Sequence, residues 1–138
     1  VLPGVTAAVG ALAAAGIPAT IRGINKALVL ATGHSADEED EPDWAAFART
    51  GQPIVVYMAL KALGRIAAAL IKGGMATDMP AAVIVAATMP GQKLLVSTLG
   101  DVAADAERLG LGAPALLVVG GIVAMREKLA GLQLGVLK

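Results

Sequence analysis

A chain of 138 residues is long enough to bury one sizeable core. Its eleven basic and eleven acidic side chains cancel, so no net field exists to attract nucleic acid or an anionic membrane surface. The absence of cysteine excludes disulfides, thiolate chemistry and cysteine-based zinc sites.

Hydrophobic residues make up 57% of the chain, and the mean hydropathy is +0.73. Ala and Gly supply much of that value, and neither drives membrane insertion strongly. The first charged side chain is Arg22, but Pro3, Gly4, Gly10, Gly16 and Pro18 interrupt the opening stretch. No clean run of the ~20 apolar residues needed for a span remains. It also lacks the basic leading region of a signal peptide. A cytoplasmic protein with no membrane partner is expected. Val1, Leu2 and Pro3 read as a strand end entering a turn, so the chain is expected to begin inside a longer protein.

In chain order, Val5 to Ala15 reads as a small-residue helix with Thr6 at its start and Gly16 as its stop. The first clear strand is Ala27 to Thr32, followed by Gly33, His34 and an acidic run from Asp37 to Asp43. Pro42 suits the first turn of a helix that carries DWAAFART to Gly51. A second strand, Pro53 to Met58, leads into an amphipathic helix from Leu60 to Lys72, with Leu63, Ile66, Leu70 and Ile71 as its apolar side. The strand Ala81 to Ala87 turns at residues 89–91, MPG, into an antiparallel partner, Lys93 to Leu99. A helix over residues 100–110, a turn at Gly112 to Pro114, the strand ALLVVGG and a final VAMREKLAGL complete the chain; that last segment is a short helix or a ragged tail. The pattern is α/β, a three-layer-like single domain with a mixed sheet of about five strands flanked by four or five helices. Residues 1–130 form the domain and 131–138 a tail.

Conventional catalytic machinery is missing. His34 is the single histidine, so a metal site with two histidines is impossible and a Ser-His-Asp triad would have to use it. No metal is expected, because the acidic run lacks the alternating spacing of a calcium loop and reads as a solvated face. Neither GxGxxG nor GxxxxGK[ST] occurs. The strand ends are more informative. PGVTAA, VVYM and VAATMPG place small or soft residues where an open α/β sheet presents its binding crevice. The Thr6 hydroxyl, the backbone amides of the Gly4 turn, the polarizable Met58 and the small Ala87 are able to converge on one ligand, although a methionine at a strand end is more often core and the Ala-rich segments read equally as helix packing.

In this order, VLPGVTAA, AGIPATIRG, VLATGH, DWAAFA, VVYMALKAL, MPAAVIVAAT, LVSTLGDVA and PALLVVGGIVAMREKL resemble the C-terminal domain of uroporphyrinogen-III C-methyltransferases, within the tetrapyrrole methylase family. The resemblance runs from Val1 to about Leu129. It implies transfer of methyl groups from S-adenosyl-L-methionine to C2 and C7 of uroporphyrinogen III, giving precorrin-2 for sirohaem and cobalamin biosynthesis. The pyrrole carbon attacks the sulfonium methyl directly, so alignment of two reactants replaces a side-chain nucleophile and no catalytic residue is assigned. By motif position, Thr6, Ala7, Met58 and Ala87 are implied cofactor contacts, and Arg22 of TIRG is implied to meet the acidic tetrapyrrole, with a solvated arginine as the alternative. A homodimer is implied. The family's N-terminal domain, with its glycine-rich cofactor loop and GGDP-type motif, is absent from this chain, which is therefore expected to be inactive alone.

Departures accompany the resemblance. Ile21 stands where the family commonly has histidine, Ala59 where glycine follows YM, Val85 and Ala86 where polar residues are usual, and Gln92 and Lys93 where an arginine follows the hairpin. These weaken the inference about substrate more than that about cofactor. They also support a competing reading, a noncatalytic α/β binding module, while the apolar opening alone supports a membrane-associated protein.

Overall fold

A computed structural model describes residues 1–34 and 37–136. The first helix, α1, spans Ala7–Ala15, and Gly16 ends it by adopting the left-handed conformation, with its N–H and that of Ile17 closing on the carbonyls of Ala13 and Leu12. Ala8, Ala11, Leu12 and Ala15 recur at helical spacing and form its buried face, so their small side chains bring α1 close to what lies beneath. Strand β1 is Val29–Thr32. It starts later than its apolar pattern because the Gln52 side chain accepts the N–H groups of Lys26 and Ala27 at 3.0 and 3.1 Å. Helix α2, Trp44–Arg49, begins after Pro42, with Asp43 as its cap accepting from the Ala46 N–H at 2.9 Å.

Strand β2 is Ile54–Tyr57. The next helix is shorter than its amphipathic pattern: Leu60–Ala62 form a 3-10 turn, and α3 proper is Leu63–Lys72. No side chain caps either start, and the tighter turn satisfies the Ala62 N–H on the Ala59 carbonyl at 2.8 Å. Leu63, Ile66, Ala67 and Leu70 are the buried side of α3, with Ile71 only half-buried. Strands β3, Pro80–Val85, and β4, Lys93–Thr98, form the expected antiparallel pair. Helix α4 is Val102–Arg108, β5 is Ala115–Val119, and the C-terminal segment is a helix, α5, Met125–Val136. Of the tail 131–138, α5 takes the residues to Val136, and 137–138 lie outside the described residues.

The five strands form one mixed sheet in the order β1-β2-β5-β3-β4. β1 runs parallel to β2 through the α2 crossover, and β5 is antiparallel to both β2 and β3. The three central strands are apolar at every position because both their faces are covered. Ile54, Val56, Val83, Val85, Leu117 and Val119 pack under α2, α3 and α4. Val55, Ala82, Ile84, Leu116 and Val118 pack under α1 together with Ile122 and Val123. Full burial of each such side chain contributes about 1.5–3 kcal/mol, so a continuous apolar run in β2, β3 and β5 specifies the middle of the sheet. The edge strands β1 and β4 instead mix half-buried and exposed positions.

Two polar groups fix the periphery. Asn25 is buried, donates to the carbonyls of Ala19 and Ala27 at 2.8 and 3.0 Å and accepts the Ile21 N–H at 2.9 Å. Its amide therefore holds the loop that carries TIRG in one shape. On the far edge, Ser97 donates to Asp105 at 2.6 Å, which ties α4 to β4. That bond and the neighbouring Arg108 guanidinium hold the Asp105 carboxyl below its ordinary range.

Candidate functional site

The topology sends the carboxyl ends of β1, β2 and β3 to the same edge of the sheet, where β5 begins. Four segments meet there and enclose a cavity of about 780 Å³: Gly33–His34 after β1, Tyr57–Met58 after β2, Ala86–Ala87 after β3, and Ala113–Ala115 leading into β5. This is the crevice position at which open α/β sheets bind ligands, and its size suits a nucleoside-sized or larger molecule.

The backbone at this edge is unusual for its residue types. Met58, Ala86 and Thr88 all have positive φ, at 52°, 47° and 66°. A non-glycine residue there costs about 1–2 kcal/mol, and such outliers gather where a site needs the chain to turn sharply. The turns end β2 at Tyr57 and β3 at Val85, shorter than the apolar pattern of each strand. They also leave Met58 well exposed at the cavity, with 62% relative accessibility. Gly33 permits the close approach on the β1 side. A Cβ there would sit 3.0 Å from both the Ala59 Cα and the Ile66 Cδ1.

Of the residues singled out in the sequence, Ala7, Met58 and Ala87 line this one cavity. Thr6 lies just outside the lining, its hydroxyl hydrogen-bonded to the Tyr57 hydroxyl, and does not cap α1. Tyr57 Oη also accepts the Ala8 N–H at 3.1 Å, so the third residue of VVYM supplies the cap and fixes α1 against the mouth of the cavity. The side chain next to Met58 was thus the informative one that local pattern did not single out; a tyrosine ending a buried strand is the signal, since its hydroxyl needs a partner. Gly4 sits in the exposed stretch before α1, and Arg22 in an exposed turn, both outside the lining. His34 lines the cavity as an exposed residue whose N–H donates to Thr32 Oγ1 at 3.3 Å.

Lys61 and Arg65, both exposed, also line the cavity. Glu41, from the acidic run, pairs with Arg65 and accepts from Trp44 Nε1 at 2.8 Å. Among the described residues, no group of three or more His, Asp or Glu side chains is placed to hold a metal ion, and no helix is long and apolar enough to cross a membrane.

The family of Tetrapyrrole (Corrin/Porphyrin) Methylases matches residues 1–103. The chain belongs to that family. Among its relatives, a siroheme synthase of Thiobacillus denitrificans is 42% identical over 130 residues, covering 94% of this chain and 27% of the synthase. A uroporphyrinogen-III C-methyltransferase of Pseudomonas aeruginosa is 43% identical over 123 residues, covering 88% of this chain and 49% of that enzyme. The uroporphyrin-III C-methyl transferase of Thermus thermophilus, solved in complex with S-adenosyl homocysteine, superposes with a TM-score of 0.74 at 29% identity, over 91% of this chain and 53% of that one. This tetrapyrrole methylase chain therefore spans about half the length of the methyltransferases it matches and about a quarter of the synthase. Three residues at which the resemblance departs from the family pattern have defined surroundings. Ile21 is half-buried and packs on the α1-side core, Ala59 is buried beneath Gly33, and the Gln92 side chain accepts the N–H of the left-handed Thr88 at 2.7 Å.

Proposed function

We propose that this chain is the C-terminal half of a cytoplasmic, S-adenosyl-L-methionine-dependent uroporphyrinogen-III C-methyltransferase, which methylates C2 and C7 to give precorrin-2 for sirohaem and cobalamin biosynthesis. The observation that carries this reading is the convergence of Ala7, Met58 and Ala87 on one cavity at the carboxyl ends of the strands. The relative that superposes on the chain was solved with the demethylated form of the donor, which supports the same cofactor here.

The residues fit such a cofactor. Met58 and Met89 give polarizable apolar surface for a flat base, and Ala86 and Ala87 are small enough to admit it near the backbone. When bound, the donor supplies a methyl group on a sulfonium that an electron-rich pyrrole carbon attacks. The task left to this chain is alignment: Tyr57 and Thr6 hold the start of α1, and the left-handed turns at Met58 and Ala86 fix the opposite walls. Arg22 is the proposed contact to the acidic substrate, reached from the TIRG loop that Asn25 holds in shape.

A protein that joins this chain to the upstream half found in its relatives is expected to convert uroporphyrinogen III to precorrin-2, whereas residues 1–138 alone are expected to be inactive. Methylation of a different precorrin instead points to a sister methylase. Donor product bound without turnover points to a noncatalytic binding module, and turnover by residues 1–138 alone overturns the need for a second half. The reading includes a homodimer. Val5 in the stretch before α1, Val9 on the outer side of α1 and Leu30 on the edge strand are the exposed apolar surface it would use. Light scattering at high protein concentration is expected to give twice the chain mass, and a monomer there counts against it.

A further inference from the structure

Resting on the tetrapyrrole substrate proposed above, we infer that Lys61 and Arg65 form a carboxylate-binding rim for the peripheral acid groups of that substrate, with Glu41 as the positioning residue for Arg65. The charges around the cavity are one-sided. Lys61 and Arg65 are its charged lining residues, His34 stands beside them, and none of the described lining residues is acidic. They are one helical turn apart, Lys61 in the 3-10 turn and Arg65 in α3, so they share one wall. Met58, Ile84, Ala86, Ala87, Met89 and Leu116 make the remaining lining largely apolar.

That combination discriminates between the two reactants. The donor carries a sulfonium and an ammonium against one carboxylate, so its net charge is positive and a basic rim disfavours it. A macrocycle edged with carboxylates is complementary to the rim: with the donor on the apolar wall, its ring lies across the mouth of the cavity and its acid groups reach Lys61 and Arg65. Arg65 is also better fixed than a surface arginine normally is. One of its amino groups pairs with Glu41, and the other lies 3.5 Å from the Gly33 carbonyl. Glu41 in turn accepts from Trp44 Nε1, and Trp44 is buried in the core. A half-exposed ion pair adds little to folding. What the chain Trp44, Glu41, Arg65 does provide is a guanidinium held in one direction with N–H groups to spare. Lys61 has no ion-pair partner among the described residues and is free to follow a carboxylate.

The test is a fluorescence titration of uroporphyrin III, the stable oxidised octacarboxylate, into the 138-residue protein, paired with calorimetric titration of S-adenosyl homocysteine. Lys61→Gln and Arg65→Gln are each expected to raise the uroporphyrin Kd by about tenfold and to flatten its salt dependence. Lys72→Gln, at the far end of α3, is expected to leave it within about twofold. Glu41→Gln is expected to weaken uroporphyrin about threefold although it removes a negative charge; a merely electrostatic role for Glu41 predicts tighter binding instead and would overturn its positioning role. No uroporphyrin binding, or equal Kd values in the wild type and both rim variants, overturns the rim. Loss of S-adenosyl homocysteine affinity in the rim variants with uroporphyrin unaffected also overturns it, because the rim then serves the donor's carboxylate. Failure of methyl transfer by the longer protein with the rim effects intact would sink the methyltransferase reading alone.

Discussion

Gly120→Ala is expected to lower the stability of this domain by about 4 kcal/mol, from overpacking of about 1–3 kcal/mol and backbone strain of about 1–3 kcal/mol. Gly120 follows β5 with φ at 147°, a conformation that side chains rarely adopt. A Cβ there would lie 2.7 Å from the Pro53 Cβ and 2.9 Å from its Cα. Neither group has room to retreat. The Gly120 N–H donates to the Pro80 carbonyl at 2.9 Å at the start of β3, and the Pro53 carbonyl accepts from Val29 at 2.9 Å at the start of β1. Moving either one disturbs the register of the central strands. Against a total stability of about 5–15 kcal/mol, the change should bring the thermal midpoint down by more than about 10 °C. Gly112→Ala is the matched control: nothing lies within 4 Å of its Cβ position, and its expected effect is under about 0.5 kcal/mol. Equal midpoints for the two variants would show that residues 119–121 shift freely and that the clash is harmless.

The same stretch shows what a sequence reveals and what it hides. ALLVVGG is unmistakably strand-like because both faces of β5 are covered, but nothing local says that its first glycine must fit against Pro53, which is far away in the chain. Strands β2, β3 and β5 are legible for the same reason, since Val, Ile and Leu at successive positions fit only a sheet buried on two sides. Their ends are not. AAVIVAA reads as strand to Ala87, because Ala suits a strand, a helix or a left-handed turn without marking which, and the chain in fact leaves the sheet at Ala86. The helix after VVYM looks continuous from Leu60, whereas the missing cap tightens its first turn.

The candidate site divides in the same way. Met58 and Ala87 each follow a strand that the pattern locates, and parallel alignment of β2 and β3 brings them to one end of the sheet, while Ala7 opens α1, whose start the Tyr57 hydroxyl holds there. Tyr57 is less visible, because its role depends on the α1 start lying opposite β2. Lys61 and Arg65 are invisible as a pair: on an amphipathic helix they look like its solvated face, and only the placement of β3 and β5 puts a cavity in front of them. Glu41 likewise sits in DEEDEPD, a run whose composition says only that it is solvated.

Met58 offers a separation of stability from function. Its backbone is left-handed with φ at 52°, and its side chain is exposed at the cavity instead of packed in the core. Glycine relieves a left-handed cost of about 1–2 kcal/mol and adds chain entropy to the unfolded state worth about 0.5–1 kcal/mol. Met58→Gly should therefore be as stable as the parent or more so, by up to about 1 kcal/mol. In the protein completed by its upstream half, the same change removes the polarizable wall proposed to face the donor. The donor KM should rise about tenfold, the equivalent of about 1.4 kcal/mol of lost apolar contact. Met58→Leu restores the apolar area and should return the KM to within about threefold. Met58→Val puts a β-branched side chain into the left-handed region and should cost about 1–2 kcal/mol in stability. A core methionine would give the opposite ordering, with glycine the most destabilising of the three and donor affinity following stability. Thermal melts set beside donor KM values therefore separate a residue kept for what it touches in the cavity from one kept for packing. A Met58→Gly protein that is less stable yet retains its donor KM would remove Met58 from the site.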